Sequence, residues 1–285
     1  MSAFYLSHLQ AGQFQFALDT PLVMGIVNCT PDSFSGQSQS LQADQAIAIA
    51  RQHVADGAHI IDIGGESTRP GAAPVSCHTE MQRVLPVLEA LVADGVCVSI
   101  DTRHPEVMRA AIKLGASMIN DVNALRAEDA IAAVCGSEVA LCLMHMQGEP
   151  GHMQDAPFYL DVVAEVAGFL AERARACLRA GIAAHRIVLD PGFGFGKTHA
   201  HNVELMRQLS WLHQLGFPLL CAWSRKRSLG EITARPVEQR MAASIGAALA
   251  SVAAGAAMVR VHDVAETVDA LRVWKALRQT SPVAN

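Results

Sequence analysis

VMGIVNCTPDSFS, residues 23–35, runs from an apolar segment into a polar one with no transition between them. Residues 23–27 are apolar throughout rather than alternating, which is how a strand buried on both faces of a parallel sheet reads. Pro31 lacks the N–H that a sheet would use, so it marks where the strand gives way. Asn28, Thr30, Asp32 and Ser33 are then either the turn that stops the strand or groups that the strand delivers to a site. Taken alone, Asp32 and Ser33 also read as helix caps.

The same junction recurs along the chain. Apolar, β-branched runs lie at HIIDI (59–63), VCVSI (96–100), SMIN (117–120), VALCLM (139–144), RIVLD (186–190), PLLCA (218–222) and AAMVRV (256–261), making eight with the first. Helix-like stretches such as LQADQAIAIARQHVADG and YLDVVAEVAGFLAERARACLRAG separate most of them. Gly57, Gly95, Gly115, Gly181, Gly216 and Gly255 each stand just before a strand, as helix stops do. Eight βα units in 285 residues predict an α/β fold, a (β/α)8 TIM barrel. An open doubly wound sheet fits the periodicity alone. FQFALD (13–18) alternates and predicts a short N-terminal β extension that closes the barrel bottom. No linker or internal repeat interrupts the chain, so residues 1–285 read as one domain.

The composition narrows the class. Half of the residues are hydrophobic, 17% are charged and the formal net charge is −5. A mildly acidic chain argues against nucleic acid as a partner, which calls for a basic footprint. Seven scattered cysteines without a C-x-x-C pattern read as reduced thiols of an intracellular protein. The N-terminus lacks the basic and apolar regions of a signal peptide. MAASIGAALASVAAGAAMV (241–259) is uncharged and long enough for a membrane span, but Ala, Gly and Ser contribute little transfer free energy. It reads as a helix packed on the barrel, a Gly turn and a buried strand, with no membrane partner.

Each strand leads into a polar segment: NCTPDSFSG, GGESTRPGA, DTRHP, NDVN, HMQGEPGHM, DPGFGFGKTHAHN, WSRKRS and RVHD. In a barrel these ends converge on one face, where active sites are built. Singly, each has a plainer reading. STRPG suits a Pro-Gly turn, Asp101 a helix cap and SRKR a solvated basic patch; their shared rim weighs against all three. PGFGFGKT (191–198) is not a Walker loop, because Pro191 stands six positions before Lys197 where glycine is required. Its strictly alternating glycines let Phe193 or Phe195 lie close to a flat ligand. His199 and His201 lack a third ligand at zinc-like spacing. Two subsites emerge. Asn28, Arg69, Arg260 and His262 suit an anion. Asp101, Asn120, Asp190 and Lys226 suit a polar heterocycle, with Met144 and Phe195 as apolar walls.

MGIVNCTPDSFS, GGESTRPGA, SIDT, NDV, LMHMQG, DPGFGFGK, SRK and RVHDV occur in that order from 24 to 264. The set closely resembles the dihydropteroate synthase family of folate biosynthesis. The resemblance implies a cytoplasmic, homodimeric barrel that joins 6-hydroxymethyl-7,8-dihydropterin diphosphate to 4-aminobenzoate with Mg2+ as cofactor. It implies that Asn28 meets the metal and diphosphate, and that Arg260 and His262 bind diphosphate. Asp101, Asn120, Asp190 and Lys226 then hold the pterin beside Met144 and Phe195, while Thr68, Arg69 and Pro70 help form the aminobenzoate site that sulfonamides mimic. Asp101, Lys226 and Arg260 are the catalytic candidates, on an SN1-like path. GQSQS after DSFS and Arg227 after Lys226 depart from many relatives. The competing reading is a pterin-dependent methyltransferase of the same superfamily, which would need neither NCTPDSF, STRPG nor the Arg260 and His262 pair.

Overall fold

The computed structural model describes residues 6–30, 39–67, 71 and 74–278. Eight parallel strands are present: β3 (Leu22–Asn28), β4 (Ile60–Gly64), β5 (Val98–Asp101), β6 (Met118–Asp121), β7 (Ala140–Met144), β8 (Ile187–Asp190), β9 (Leu220–Cys221) and β10 (Met258–Val261). They pair in the order β8-β7-β6-β5-β4-β3-β10-β9. Between β8 and β9 a single parallel bridge joins Leu189 to Leu219, and the Leu189 N–H donates to Pro218 O at 2.9 Å, bringing the sheet round on itself. This is the expected barrel rather than an open doubly wound sheet.

An antiparallel hairpin, β1 (His8–Ala11) with β2 (Phe14–Ala17), precedes the barrel. Leu9 and Ala11 are fully buried and cluster with Leu22, Met24, Ile60, Met118 and Met258 from inside the barrel. The hairpin therefore plugs the end opposite the strand C-termini, as FQFALD predicts.

Helices cover the outside: α1 (Gln39–Ala55), α2 (Cys77–Ala93), α3 (Pro105–Lys113), α4 (Ala130–Val134), α5 (Val162–Arg179), α6 (His199–Arg207), α7 (Arg227–Thr233), α8 (Met241–Ala253) and α9 (Val264–Arg278). α2 shows why they form and dock. Ser76 caps its N-terminus by accepting the Thr79 N–H at 3.2 Å, and Val84, Val87, Leu88 and Leu91 bury one stripe at helical spacing. Each such side chain contributes about 1.5–3 kcal/mol by leaving water. The 241–259 stretch is α8, a turn at Gly255 (φ +99°) and β10. Among the described residues, no helix is long and apolar enough to cross a membrane.

Strand parity places the polar residues. Ile61, Ile63, Val98, Ile100, Leu141 and Leu143 pack outward against the helices. The alternate positions face the barrel axis. Low in the barrel these are Met24, Ile60, Cys97, Met118, Cys142, Val188 and Met258. Two or four residues further along the same strands come Asn28, Asp62, Asp101, Asn120, Met144, Asp190 and Arg260. The inward face thus changes from an apolar plug to a polar mouth within one or two steps.

Candidate active site

Arg260 on β10 reaches across the barrel mouth. Its Nε donates to Asp62 Oδ2 at 2.6 Å and its Nη2 to Asp101 Oδ2 at 2.8 Å. Asn120 Nδ2 donates to the same Asp62 oxygen at 3.1 Å. Burial pulls the Arg260 pKa down, but the Asp62 and Asp101 carboxylates more than offset it and the net shift is upward. Burial pushes Asp101 up to about 7, against the pull of Arg260. A buried ion set of this kind is held by its geometry, since desolvation costs several kcal/mol per ion. Sequence alone assigns Asp62 no role. Its one signal there is a carboxylate inside an otherwise apolar strand.

Asp190 closes the opposite side. It is 3% exposed, and its Oδ1 accepts the Gly192 N–H at 2.7 Å. Burial raises its pKa to about 6. Gly192 is at φ +69°, and a Cβ there would overlap the His145 carbonyl oxygen, so only glycine makes this turn. Lys197 pins the segment after it. Its buried Nζ lies 2.8 Å from His145 Nδ1, 2.9 Å from Gly192 O and 3.1 Å from Phe195 O. Burial lowers Lys197 to about 7 and His145 to about 2, so the ring accepts. Tyr159 Oη donates to Gly196 O at 2.7 Å, and Gln154 Nε2 to Gly194 O at 2.6 Å.

The two candidate phenylalanines part company here. Phe193 is fully buried and stacks on Trp223, with centroids 4.6 Å apart, so it belongs to the core and not to a ligand wall. Phe195 lies in one apolar cluster with Met144, Met146, Met153 and Val122. Lys226 Nζ sits 4.0 Å from the Phe195 ring centroid, and its charge is felt at both Asp101 and Asp190.

SRKR is not a patch. Arg225 forms an ion pair with Asp263, Lys226 turns to Phe195, and Arg227 points to solvent and pairs with Glu231 at 2.9 Å. Nor is Asp101 a helix cap: the residue before α3 is His104, with no side-chain cap bond. His199 and His201 open α6, where His201 completes a capping box with Thr198. His262 follows β10, with Nδ1 3.0 Å from Ser224 Oγ. Burial, then Arg260 and Arg225, push it down to about 3. Cys29, Cys97 and Cys221 are buried and their thiols are raised by burial, as expected of small hydrophobes.

Asn28 ends β3 opposite Gly64, which in turn pairs with Asp101. A Cβ at Gly64 would lie 3.9 Å from Asn28 Oδ1 and 3.7 Å from Asp101 Cβ, so the two side chains face each other across a bare backbone. Among the described residues no group of three or more His, Cys, Asp or Glu could hold a metal ion. Thr68, Arg69 and Pro70 lie outside the described residues. Beside them Glu66 accepts both Arg103 Nε and Nη2 at 3.0 Å and the Val75 N–H at 3.2 Å, tying together the two flanks of that segment.

Fold and sequence together define the class: the profile of the family described as pterin binding enzyme matches residues 24–262. A dihydropteroate synthase of Neisseria meningitidis is 52% identical over 275 residues, taking in 94% of this chain and 96% of the relative. The structure of Xanthomonas albilineans dihydropteroate synthase with 4-aminobenzoic acid superposes with a TM-score of 0.91 at 50% identity, covering 96% of this chain and 99% of that one. That of Burkholderia cenocepacia dihydropteroate synthase with 7,8-dihydropteroate does so at 0.88 and 47%, covering 96% and 98%. The chain belongs to the dihydropteroate synthase family.

Proposed function

We propose that this barrel joins 6-hydroxymethyl-7,8-dihydropterin diphosphate to 4-aminobenzoate, releasing 7,8-dihydropteroate and diphosphate. The observation that carries the reading is the barrel mouth itself. Inward carboxylates and an amide from β4, β5, β6 and β8 stand beside an apolar wall, with Arg260 and His262 at one edge. Asp101, Asn120 and Asp190 read the donors and acceptors of a flat pterin, and Met144, Phe195 and Lys226 bound its faces.

In the reaction the bond from the pterin methylene to the diphosphate oxygen breaks, and its electron pair leaves with diphosphate. The lone pair of the aminobenzoate nitrogen forms the new C–N bond, and that nitrogen gives up one proton. Aminobenzoate is a weak nucleophile, so departure runs ahead of attack and leaves a cationic methylene. Ionised Asp101 stabilises that cation, Arg260 offsets the charge of the leaving group, and neutral His262 donates a hydrogen bond to it. Asn28, Thr68, Arg69 and Pro70 complete the proposed anion and aminobenzoate subsites.

Mg2+ is part of the proposal. The ion is usually held by one or two protein oxygens and otherwise by substrate phosphates and water. Asn28 Oδ1, a hard oxygen at a strand end, fits that sparse demand, whereas a resident all-protein cage does not fit the donor set. Bound there, Mg2+ would offset charge on the diphosphate. The proposal also includes a homodimer, for which exposed Ile232, Val237 and Met241 offer apolar surface. It includes a cytoplasmic location, in keeping with seven unpaired thiols.

Calorimetric titration tests the anion subsite. Arg260→Ala is expected to weaken pterin diphosphate about 10- to 100-fold more than unphosphorylated pterin. Equal losses would show that Arg260 does not meet the diphosphate.

A further inference from the structure

Ser224 lies just after β9 and is 7% exposed. Its Oγ accepts the His262 backbone N–H at 3.3 Å and lies 3.0 Å from the ring nitrogen Nδ1 of the same residue. The loop that carries it is tightly held. Arg225 stands at φ +57°, a conformation that side chains disfavour, with its N–H on Ser244 Oγ at 2.9 Å and its guanidinium on Asp263.

A neutral imidazole has one N–H and one lone pair. His262 stays neutral at ordinary pH because it is buried among Arg260, Arg225 and Lys226. It therefore meets an anion well in only one tautomer. With the proton on Nδ1, the lone pair of Nε2 would be the group left for the anion, and the two would repel. With the proton on Nε2, the ring donates. The Ser224 hydroxyl beside Nδ1 is placed to bias this choice. Its oxygen already receives one N–H, and among the described residues Nδ1 is the one acceptor within reach of its proton.

We propose that Ser224 is a positioning residue of the reaction: its hydroxyl donates to His262 Nδ1, fixes the Nε2–H tautomer and leaves that N–H for the diphosphate. The proposal rests on the reading of His262 as a diphosphate ligand. It goes beyond that reading by naming the group that makes a neutral histidine useful there.

The test combines ring 15N resonances of His262 at neutral pH with steady-state kinetics of the wild type, Ser224→Ala, Ser224→Thr and His262→Ala. The wild type is expected to show a single tautomer protonated on Nε2. Ser224→Ala is expected to mix the tautomers and to raise KM for pterin diphosphate roughly tenfold, with little change in KM for aminobenzoate. Ser224→Thr keeps a hydroxyl and is expected to restore both. A wild-type proton on Nδ1 would overturn the proposal, and that spectrum is decisive even if Ser224→Ala does not fold. Unchanged tautomer and KM in a folded Ser224→Ala, or a loss that threonine does not rescue, would overturn it too. If His262→Ala leaves KM for pterin diphosphate unchanged while Ser224→Ala still mixes the tautomers, the diphosphate role of His262 fails and the tautomer lock stands without a catalytic use.

Discussion

Arg260 and Asp62 are separated by 198 positions in the chain and by 2.6 Å in the barrel. The guanidinium is therefore fixed from below by Asp62 and from the side by Asp101 before any anion arrives. Donors set in advance spare the reaction their reorganisation. Asp62→Asn keeps the shape of the partner and removes its charge. It is expected to lower kcat/KM for pterin diphosphate about 10- to 100-fold, roughly 1.4–2.7 kcal/mol of transition-state stabilisation. Wild-type kcat/KM in a folded Asp62→Asn protein would show that Arg260 needs no such brace.

Asp101 sets an acid limit. Its carboxyl is raised to about 7 by burial, so it takes up a proton as the pH falls through that value. The ionised form pairs with Arg260 and, in the proposed reaction, is the one that supports the cationic methylene. Binding of unphosphorylated pterin, which has no diphosphate to titrate, is expected to weaken below about pH 7. Arg260 lowers the Asp101 pKa, so Arg260→Ala should move the limb upward. Calorimetry across pH checks both shifts, and a flat profile in both proteins contradicts the assignment.

Gly192 makes the turn between Asp190 and Phe195, the proposed pterin wall. Gly192→Ala combines a positive φ with a Cβ that overlaps the His145 carbonyl oxygen. The expected loss is about 2–4 kcal/mol of unfolding free energy, with the Gly192 carbonyl displaced from Lys197 Nζ. Urea denaturation measures it. A loss under about 0.5 kcal/mol would mean that the turn relaxes at little cost.

Much of the fold is legible in the sequence because its signals are local. Apolar runs and glycine stops need no knowledge of distant partners, and all eight strands fall within the runs that predict them or one residue beyond. PLLCA shrinks to Leu220–Cys221 because strand length depends on neighbours, and Leu219 meets β8 only through one bridge. The strand-end residues are legible for the same reason that barrels place sites there. Asp62 is not, because its face is fixed only when β4 pairs with β3 and β5. Ser224 and Lys197 escape a sequence reading because their partners, His262 and His145, lie 38 and 52 positions away. The alternating glycines alone let either Phe193 or Phe195 approach a flat ligand, and the sequence reading takes Phe195 for the wall. The Gly192 turn sends Phe193 to Trp223.

The condensation is measured most simply as diphosphate release by the purified protein with Mg2+ and pterin diphosphate, with and without 4-aminobenzoate. Release is expected to depend on aminobenzoate, with one 7,8-dihydropteroate formed per diphosphate. Release that ignores aminobenzoate, or none at all from folded protein, would contradict it.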